Sequence, residues 1–237
     1  MTLFTIGCSF TEGQGLKNQS IECYSNELSN ILKLPHYNFG AVGMSNDYIF
    51  RKIFELLNSK TITKDDIIII QWTHFLRKEL PIVNKNRKWF YTIPNSFHAY
   101  QDKVIIDRKH DSIVQNEYML EDTDSERKLL ESKNKKILEE YTLKFIDKTY
   151  QLNTTTNYIN SLYTYLEHFG YKHLHFFGWD KCIIKSVFDN KPNFIKESFG
   201  GYTNTSGNNH PDKEAHLEWA KLLNEKLKEN NYKKNLI

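Results

Sequence analysis

The stretch that decides the fold is Ile67-Ile68-Ile69-Ile70, four consecutive isoleucines that lead into Gln-Trp-Thr-His-Phe. A half-buried strand alternates apolar and polar side chains, whereas this run shows no alternation. Uninterrupted apolar runs are typical of the centre of a parallel sheet, where helices cover both faces. The run therefore predicts the central strand of an α/β domain.

Further strands and helices alternate on both sides of this run. The predicted strands are residues 2–7, 37–39 and 173–177, and the predicted helices are residues 22–33, 46–58, 155–169 and 212–229. Strand–helix alternation before residue 72 and after residue 155 predicts a three-layer α/β/α fold with a mostly parallel, flavodoxin-like sheet. Residues 183–205 are rich in Gly and Asn and are predicted to be irregular.

Residues 80–150 interrupt the alternation. Residues 80–120 mix aromatic, proline and charged residues, which predicts loops with a short hairpin. Residues 121–150 carry eight acidic and seven basic residues, with apolar residues near helical spacing, which predicts a long solvated helix. We interpret this segment as a helical and loop insertion into a single domain of residues 1–237. We expect it to form a cap over the carboxyl ends of the strands, where open α/β sheets bind ligands.

The composition argues against several classes of partner. The net charge of +3 arises from 32 basic and 29 acidic residues, so the sequence has no footprint of a nucleic-acid protein. The three cysteines, Cys8, Cys23 and Cys182, are odd in number and widely spaced, which favours a reducing compartment over a disulfide framework or a zinc site. The first ten residues do not resemble a signal peptide, and no apolar run has the length of a membrane span. We therefore expect a cytoplasmic protein with no membrane partner, no cofactor and no metal.

Two short segments at opposite ends of the sequence combine residues suited to catalysis. Residues 7–11, Gly-Cys-Ser-Phe-Thr, place Ser9 directly after the first strand. Residues 208–211, Asn-Asn-His-Pro, place His210 just before the last helix. A serine in a glycine-rich turn is usually a turn former, and one loop histidine is usually a surface residue. A serine and a histidine are nevertheless the residue types that serve as nucleophile and general base.

Together these segments resemble the SGNH (GDSL-type) hydrolases. Residues 38–47, Asn-Phe-Gly-Ala-Val-Gly-Met-Ser-Asn-Asp, are similar to the second block of that family, and residues 71–75 stand where the third block belongs. The resemblance covers residues 2–74 and 155–225. It implies that Ser9 is the nucleophile and His210 the general base. It also implies that the backbone N–H groups of Ser9 and Gly43, with one side-chain donor, hold the oxyanion.

The sequence departs from the family at two positions. In the family, an Asn of the third block usually donates to the oxyanion. Here Thr73 or His74 stands at the matching place. Asn46 of the second block could instead donate to the oxyanion from another direction. The usual acid lies three residues before the histidine, where this chain has Gly207. Asp212, Asp180 or a backbone carbonyl of residues 205–208 could orient His210 instead. The last arrangement would be a Ser–His dyad.

The resemblance implies a serine-dependent ester hydrolase acting on a small-molecule or carbohydrate ester, with a carbohydrate O-acetyl ester as one substrate. Asn46, Trp72 and Arg77 are the residues that we expect to contact it, although core packing is the commoner role for a tryptophan after a central strand. Two other functions remain open: a binding module that lost the acid, and an acyltransferase with the same Ser–His pair. His173 and His175 share one strand face, but no third metal ligand has suitable spacing, so structural roles are expected for them.

Overall fold

The computed structural model describes residues 1–84, 87–93, 113–114, 147–179, 183–188, 190–202, 210–230 and 232. The elements in chain order are β1 (Leu3–Gly7), α1 (Ser9–Glu12), α2 (Gln19–Glu22), α3 (Tyr24–Leu32), β2 (His36–Gly40), α4 (Asn46–Asn58), β3 (Ile67–Trp72), β4 (Lys78–Asn84), β5 (Arg87–Ile93), β6 (Ile113–Val114), α5 (Lys148–Phe169), β7 (Lys172–Phe177), β8 (Phe194–Ser198) and α6 (Lys213–Glu229). Single 3-10 turns at Lys185–Val187 and Phe199–Tyr202 lie before and after β8.

Five parallel strands form the main sheet in the order β2-β1-β3-β7-β8. The predicted central position of β3 is confirmed: it pairs with β1 on one side and β7 on the other, and Ile67, Ile68, Ile69 and Ile70 are fully buried. The chain first adds β2 on one side of β1 and then adds β3 on the other side. The strand order therefore reverses between β1 and β3. Ligands of such sheets bind at the carboxyl ends of the strands beside this switch point.

Helices cover both faces of the sheet and give the predicted three-layer α/β/α arrangement. Helix α4 packs on α5, and α3 packs on α6. Ser45 begins α4 because its hydroxyl accepts from the N–H of Tyr48 at 3.3 Å, and Gly170 ends α5 with a φ of +72°. Within the described ranges, no helix combines the length and the apolar character that a membrane crossing requires.

Two elements differ from the sequence prediction. The segment expected to be irregular contains β8, which pairs with β7 at the edge of the sheet. Its five residues are buried, buried, exposed, exposed and buried in turn, so the period of two that indicates a strand is missing. Helix α5 begins at Lys148 rather than at residue 155, because the side chain of Asp147 caps it by accepting from the N–H of Tyr150 at 2.6 Å.

The described part of the insertion is a second, antiparallel sheet. Strands β4 and β5 form the predicted hairpin, with Lys78 opposite Ile93 and Asn84 opposite Arg87, and β6 pairs with β5. Strand β4 runs next to α4. Most of the helix predicted at residues 121–150 lies outside the described residues, and the cap at residues 80–150 remains a prediction.

Candidate active site

Ser9 and His210 lie side by side at the carboxyl edge of the sheet. The Oγ atom of Ser9 is 3.1 Å from Nε2 of His210. Ser9 is the first residue of α1, two residues after β1 ends, and only 2% of it is exposed. The structure thus brings together the two residues that the sequence paired from opposite ends of the chain. Their separation is that of a hydrogen bond along which a base could take a proton from a nucleophile.

Aromatic rings hold the imidazole of His210. It lies steeply inclined to the ring of Phe10, at 5.3 Å between centroids, and to that of Trp179, at 6.4 Å. Helix α6, which follows His210, is docked by a hydrogen bond of 3.0 Å from the backbone N–H of Tyr24 to Nδ1 of His216. Trp219 of the same helix is fully buried. His210 is therefore placed by the packing of α6 as well as by its neighbours.

Gln71 organises the turn that presents Ser9. Its Oε1 accepts from the hydroxyl of Thr11 and from the N–H of Cys8, the latter at 3.4 Å, and its Nε2 donates to the sulfur of Cys8 at 2.9 Å. The hydroxyl of Thr11 also bonds the hydroxyl of Tyr24 at 2.9 Å. A side chain at the last residue of β1 would force Gln71 to move, since a Cβ on Gly7 would lie 2.7 Å from its Oε1.

The sulfur of Cys8 is a buried hydrogen-bond acceptor beside the nucleophile. It lies 3.9 Å from Oγ of Ser9. Burial by itself raises the pKa of this thiol, but the positive charge of Arg77 lowers it, as do hydrogen bonds from the N–H of Phe10, the hydroxyl of Thr73 and the amide of Gln71. The charge and the hydrogen bonds together outweigh burial, so the pKa of Cys8 lies below its usual value. The positive charge of Arg77 thus acts on the residue next to Ser9.

The turn of residues 41–44 carries Gly43, the predicted second backbone donor to the oxyanion. Gly43 has a φ of +76°, a conformation that favours glycine. The turn is fastened next to the nucleophile, because the N–H of Ala41 donates to the carbonyl of Gly7 at 3.4 Å. Glu12 of α1 accepts from the N–H of Val42, and its burial raises the pKa of its carboxyl group. The role of Gly43 in binding an oxyanion remains a prediction.

Every polar group of Thr73 is engaged within the protein. Asn46 accepts from the N–H of Thr73 at 2.9 Å and donates to its carbonyl at 3.1 Å. The Thr73 hydroxyl accepts from Nη1 of Arg77 at 2.9 Å and donates to the sulfur of Cys8. The Thr73 hydroxyl therefore lies between Arg77 and Cys8, and its role as an oxyanion donor remains a prediction. The amide of Asn46 also donates to Thr155 of α5 at 3.4 Å.

Two predicted substrate contacts are placed differently by the structure. Asn46 is only 2% exposed and bonds Thr73 and Thr155, so its place in the site is that of a support. Trp72 is fully buried and donates from Nε1 to Nδ1 of His175 at 3.1 Å, so it is a core residue. Arg77, by contrast, lies beside the site and is only partly buried.

The remaining predicted residues divide between described and undescribed positions. The backbone N–H of Leu76 donates to Nδ1 of His74 at 3.2 Å, and the His74 ring stacks on Phe75. Asp212 caps α6 by accepting from the N–H of Ala215 at 2.9 Å. Asp180 and residues 205–208, the other groups proposed to orient His210, lie outside the described residues.

His173 and His175 belong to a buried hydrogen-bonded chain on β7. Trp72 donates to Nδ1 of His175, and Nε2 of His175 is 3.0 Å from Nδ1 of His173. A carboxylate oxygen of Glu167 approaches Nε2 of His173 to 3.0 Å, but the two atoms do not form a hydrogen bond. Burial lowers the pKa of His173 to about 3 and that of His175 well below its usual value. Within the described ranges, no three His, Cys, Asp or Glu residues group as a metal site would require.

Sequence reasoning missed Trp179 and Gln71. Trp179 follows the end of β7 by two residues, at the same edge as Ser9, and its ring touches both Phe10 and His210. A bulky aromatic just past a strand's carboxyl end was the available signal. Gln71 is a fully buried amide within an apolar strand, and such a group needs partners that a functional turn could supply.

Comparison with known proteins supports the fold. No protein-family model matches the sequence, and no curated protein matches it. A lipolytic protein of the G-D-S-L family from Desulfitobacterium hafniense is 10% identical, with 95% of this chain and 99% of that chain covered and a TM-score of 0.47. The psychrotrophic esterase EstA from a Pseudoalteromonas species is also 10% identical, with 96% and 97% covered and a TM-score of 0.50. The chain shares its α/β/α fold with this esterase. In this fold, Ser9, Thr73 and His210 follow β1, β3 and β8 respectively.

Proposed function

We propose that this protein is a serine-dependent ester hydrolase of the SGNH type. The observation behind the proposal is the 3.1 Å contact between Oγ of Ser9 and Nε2 of His210 at the switch point of the sheet. A short contact between a nucleophile and a base, at the edge where open α/β sheets bind ligands, is the arrangement that acyl transfer requires. The substrate that we propose is a small acyl ester, with a carbohydrate O-acetyl ester as the first candidate.

In the proposed reaction His210 accepts the hydroxyl proton of Ser9 as Oγ attacks the ester carbonyl carbon. The N–H groups of Ser9 and Gly43 stabilise the oxyanion of the tetrahedral intermediate. His210 then gives its proton to the leaving alcohol, and an acyl group remains on Ser9. Water, deprotonated by the same imidazole, attacks this acyl-enzyme, and collapse of the second intermediate releases the acid and restores the Ser9 hydroxyl.

The surroundings of Ser9 suit this chemistry. Its hydroxyl is almost completely removed from solvent, and the nearby charge of Arg77 lies on the side of Cys8 and Thr73. A positive charge near a developing oxyanion lowers the free energy of the transition state, and it does so more strongly where water is excluded. We propose no further oxyanion donor, because the Thr73 hydroxyl already contacts Arg77 and lowers the pKa of Cys8.

Substitution of the pair tests the proposal. Ser9→Ala and His210→Gln should each lower kcat for 4-nitrophenyl acetate by about 10⁴-fold, the scale of losing one member of such a unit. Ser20→Ala and His168→Gln, which change the same residue types at exposed positions, are the matched controls. Circular dichroism would show that all four variants fold. A Ser9→Ala variant that keeps the parent rate would show that another residue is the nucleophile.

Covalent labelling gives a second test that needs no turnover. The EstA structure is of an enzyme inhibited by monoethylphosphonate. We propose that an activated ethylphosphonate ester modifies Ser9 of this protein, and mass spectrometry of the digested protein would locate the adduct. If the parent protein neither hydrolyses simple esters nor takes up the label, the binding-module function is favoured. If it takes up the label but transfers acetyl only to an added alcohol, the acyltransferase function is favoured.

A further inference from the structure

The guanidinium of Arg77 is held in a fixed orientation at the edge of the site. Its Nη1 donates to the hydroxyl of Thr73 at 2.9 Å and approaches the carbonyl of Met44 at 3.4 Å. Its central carbon lies 5.8 Å from the centre of the Trp179 ring. A planar group with one nitrogen bonded and one face against an aromatic ring has little freedom to turn. It is therefore preorganised to present its other Nη hydrogens in one direction.

This cation lacks a counter-charge within the described residues. No carboxylate in that part of the chain lies within ion-pair distance of Arg77, and its buried Nε has no hydrogen-bond partner there. Taking a charge partly out of water is unfavourable unless an opposite charge accompanies it. The field of Arg77 is felt beside the nucleophile, since this charge helps to lower the pKa of Cys8. An anion bound here would meet an uncompensated positive charge.

Arg77 also adjoins both halves of the proposed catalytic machinery. Trp179 is shared, because its ring lies beside the imidazole of His210 as well as beside the guanidinium. Met44, whose carbonyl Arg77 approaches, directly follows Gly43 of the proposed oxyanion turn. A group bound to Arg77 would thus lie on the side of the site that Trp179 and the turn of residues 41–44 share with Ser9 and His210.

We propose that Arg77 binds an anionic group of the carboxylate class on the ester that Ser9 attacks. The inference rests on the proposed function and narrows its substrate to esters of acidic compounds. Guanidinium groups bind carboxylates through charge-assisted, often bidentate hydrogen bonds. An O-acetylated sugar that carries a carboxylate would combine this requirement with the first candidate substrate.

Matched ester pairs test the proposal. The first pair, 4-acetoxybenzoate and 4-acetoxybenzamide, places the charge on the alcohol side. The second, 4-nitrophenyl hemiglutarate and its methyl ester, places the charge on the acyl side, with rates of the Ser9→Ala variant subtracted. The parent should show a kcat/KM for the charged member of at least one pair that is about 10-fold or more above that of the neutral member. A ratio of one or below in both pairs would overturn the proposal.

Variants identify the residue responsible. Arg77→Gln should lower the charged-to-neutral ratio by about 10- to 100-fold, as expected for a lost charge-assisted bond, and Arg77→Lys should keep part of it. Arg51→Gln removes the same charge from a partly exposed arginine of α4 and should keep the parent ratio. An Arg77→Gln variant with an unchanged ratio would contradict the proposal even if the parent prefers charged esters.

Two outcomes are kept apart by this design. If the parent hydrolyses neutral esters through Ser9 without favouring charged ones, the anion site is wrong and the proposed function stands. If Arg77 variants do not fold, inhibition of the parent decides: glutarate should inhibit hydrolysis of 4-nitrophenyl acetate at concentrations about 10-fold below neutral glutaramide, and this difference should shrink as salt is added. Equal inhibition by the two compounds would overturn the proposal.

Discussion

The side-chain amide of Asn46 hydrogen-bonds both polar groups of the Thr73 backbone. It accepts from the N–H at 2.9 Å and donates to the carbonyl at 3.1 Å. Asn46 is the first residue of α4, and Thr73 directly follows β3. This pair of bonds fixes the chain at the point where β3 leaves the sheet, and with it the hydroxyl that contacts both Arg77 and Cys8.

Asn46→Ala should therefore affect stability and activity together. It leaves two buried backbone groups of Thr73 without partners, which should lower the free energy of unfolding by about 1–3 kcal/mol. The kcat for a simple ester should fall as well, because the turn after β3 loses its fixed position. Urea unfolding and initial rates are the measurements. Asn58→Ala, at the exposed end of the same helix, is the control. An unfolding free energy equal to that of the control would show that the two bonds contribute nothing.

Gly178→Ala should displace Gln71. A Cβ at this position would lie 2.0 Å from Nε2 of Gln71, so the amide would have to leave the sulfur of Cys8. We expect a loss of about 1–3 kcal/mol in the free energy of unfolding, as for other overpacked sites. Gly170→Ala gives the contrast, since a Cβ there would meet no atom within 4 Å and would cost only the strain of its φ of +72°.

A double-mutant cycle separates steric crowding from other causes. Adding Gln71→Ala to Gly178→Ala removes the atom that the new methyl group meets. The two substitutions together should therefore cost less than the sum of each alone. Strict additivity would mean that the crowding between these two residues is absent.

Asp212 can be tested as helix cap and as catalytic acid at once. Asp212→Ser keeps a side-chain oxygen that could accept from the N–H of Ala215, but it removes the carboxylate. We expect this variant to retain both stability and the pH–rate profile, whereas Asp212→Ala should lose about 1 kcal/mol of stability. A folded Asp212→Ser variant without activity would identify Asp212 as the acid that orients His210. The same assay with Asp180→Asn tests the other carboxylate.

Buried histidines should make the fold sensitive to acid. Burial lowers the pKa of His216 and of His173 to about 3, whereas an unfolded histidine titrates near about 6.5. Between these values the unfolded chain binds more protons, so the stabilisation is complete above about pH 6.5 and is lost as the pH falls toward 3. Each histidine adds a slope of about 1.4 kcal/mol per pH unit.

The measurement is the free energy of unfolding in urea at pH 7.5, 6 and 5. His216→Asn, whose side-chain oxygen can replace Nδ1 as acceptor for the N–H of Tyr24, should flatten the slope. His168→Gln, an exposed histidine on α5, should leave it as it is. Parallel pH dependences in the parent and in His216→Asn would contradict the assignment.

The hydrogen-bonded chain on β7 fixes the tautomers of two histidines. The indole N–H of Trp72 can only donate, so Nδ1 of His175 must accept and its hydrogen must lie on Nε2. His175 then donates to Nδ1 of His173, which leaves the hydrogen of His173 on Nε2. Nitrogen-15 NMR at pH 7 should show both residues as neutral Nε2–H tautomers. A Nδ1–H signal from His173 or His175 would contradict this assignment of donors and acceptors.

The sequence predicted the framework because its strongest patterns are local. The isoleucine run of β3 and the apolar spacing of α4 reflect burial of the same faces that the structure buries. Strand β8 was missed because its buried residues do not alternate along the sequence. Local patterns thus report an element only when its environment is regular along its length.

The candidate site was predicted in part. Ser9 and His210 were paired because the segments Gly-Cys-Ser-Phe-Thr and Asn-Asn-His-Pro together resemble the first and last blocks of the SGNH hydrolases. The roles of Asn46 and Trp72 were not predicted. Each donates to a residue far away in the sequence: Asn46 to Thr73, 27 positions on, and Trp72 to His175, 103 positions on. A sequence gives the chemical groups available for a site, but it does not show which of them the fold has already engaged.

The contact between Ser9 and His210 joins residues 201 positions apart. Closing so long a loop is entropically unfavourable, and contacts of this kind are expected to form after local helices and hairpins. The proposed nucleophile and base would therefore be the last partners to meet during folding. After dilution from urea, the rate at which esterase activity returns would then report how fast α6 docks against α3. Circular dichroism, followed in parallel, would report the formation of the helices themselves.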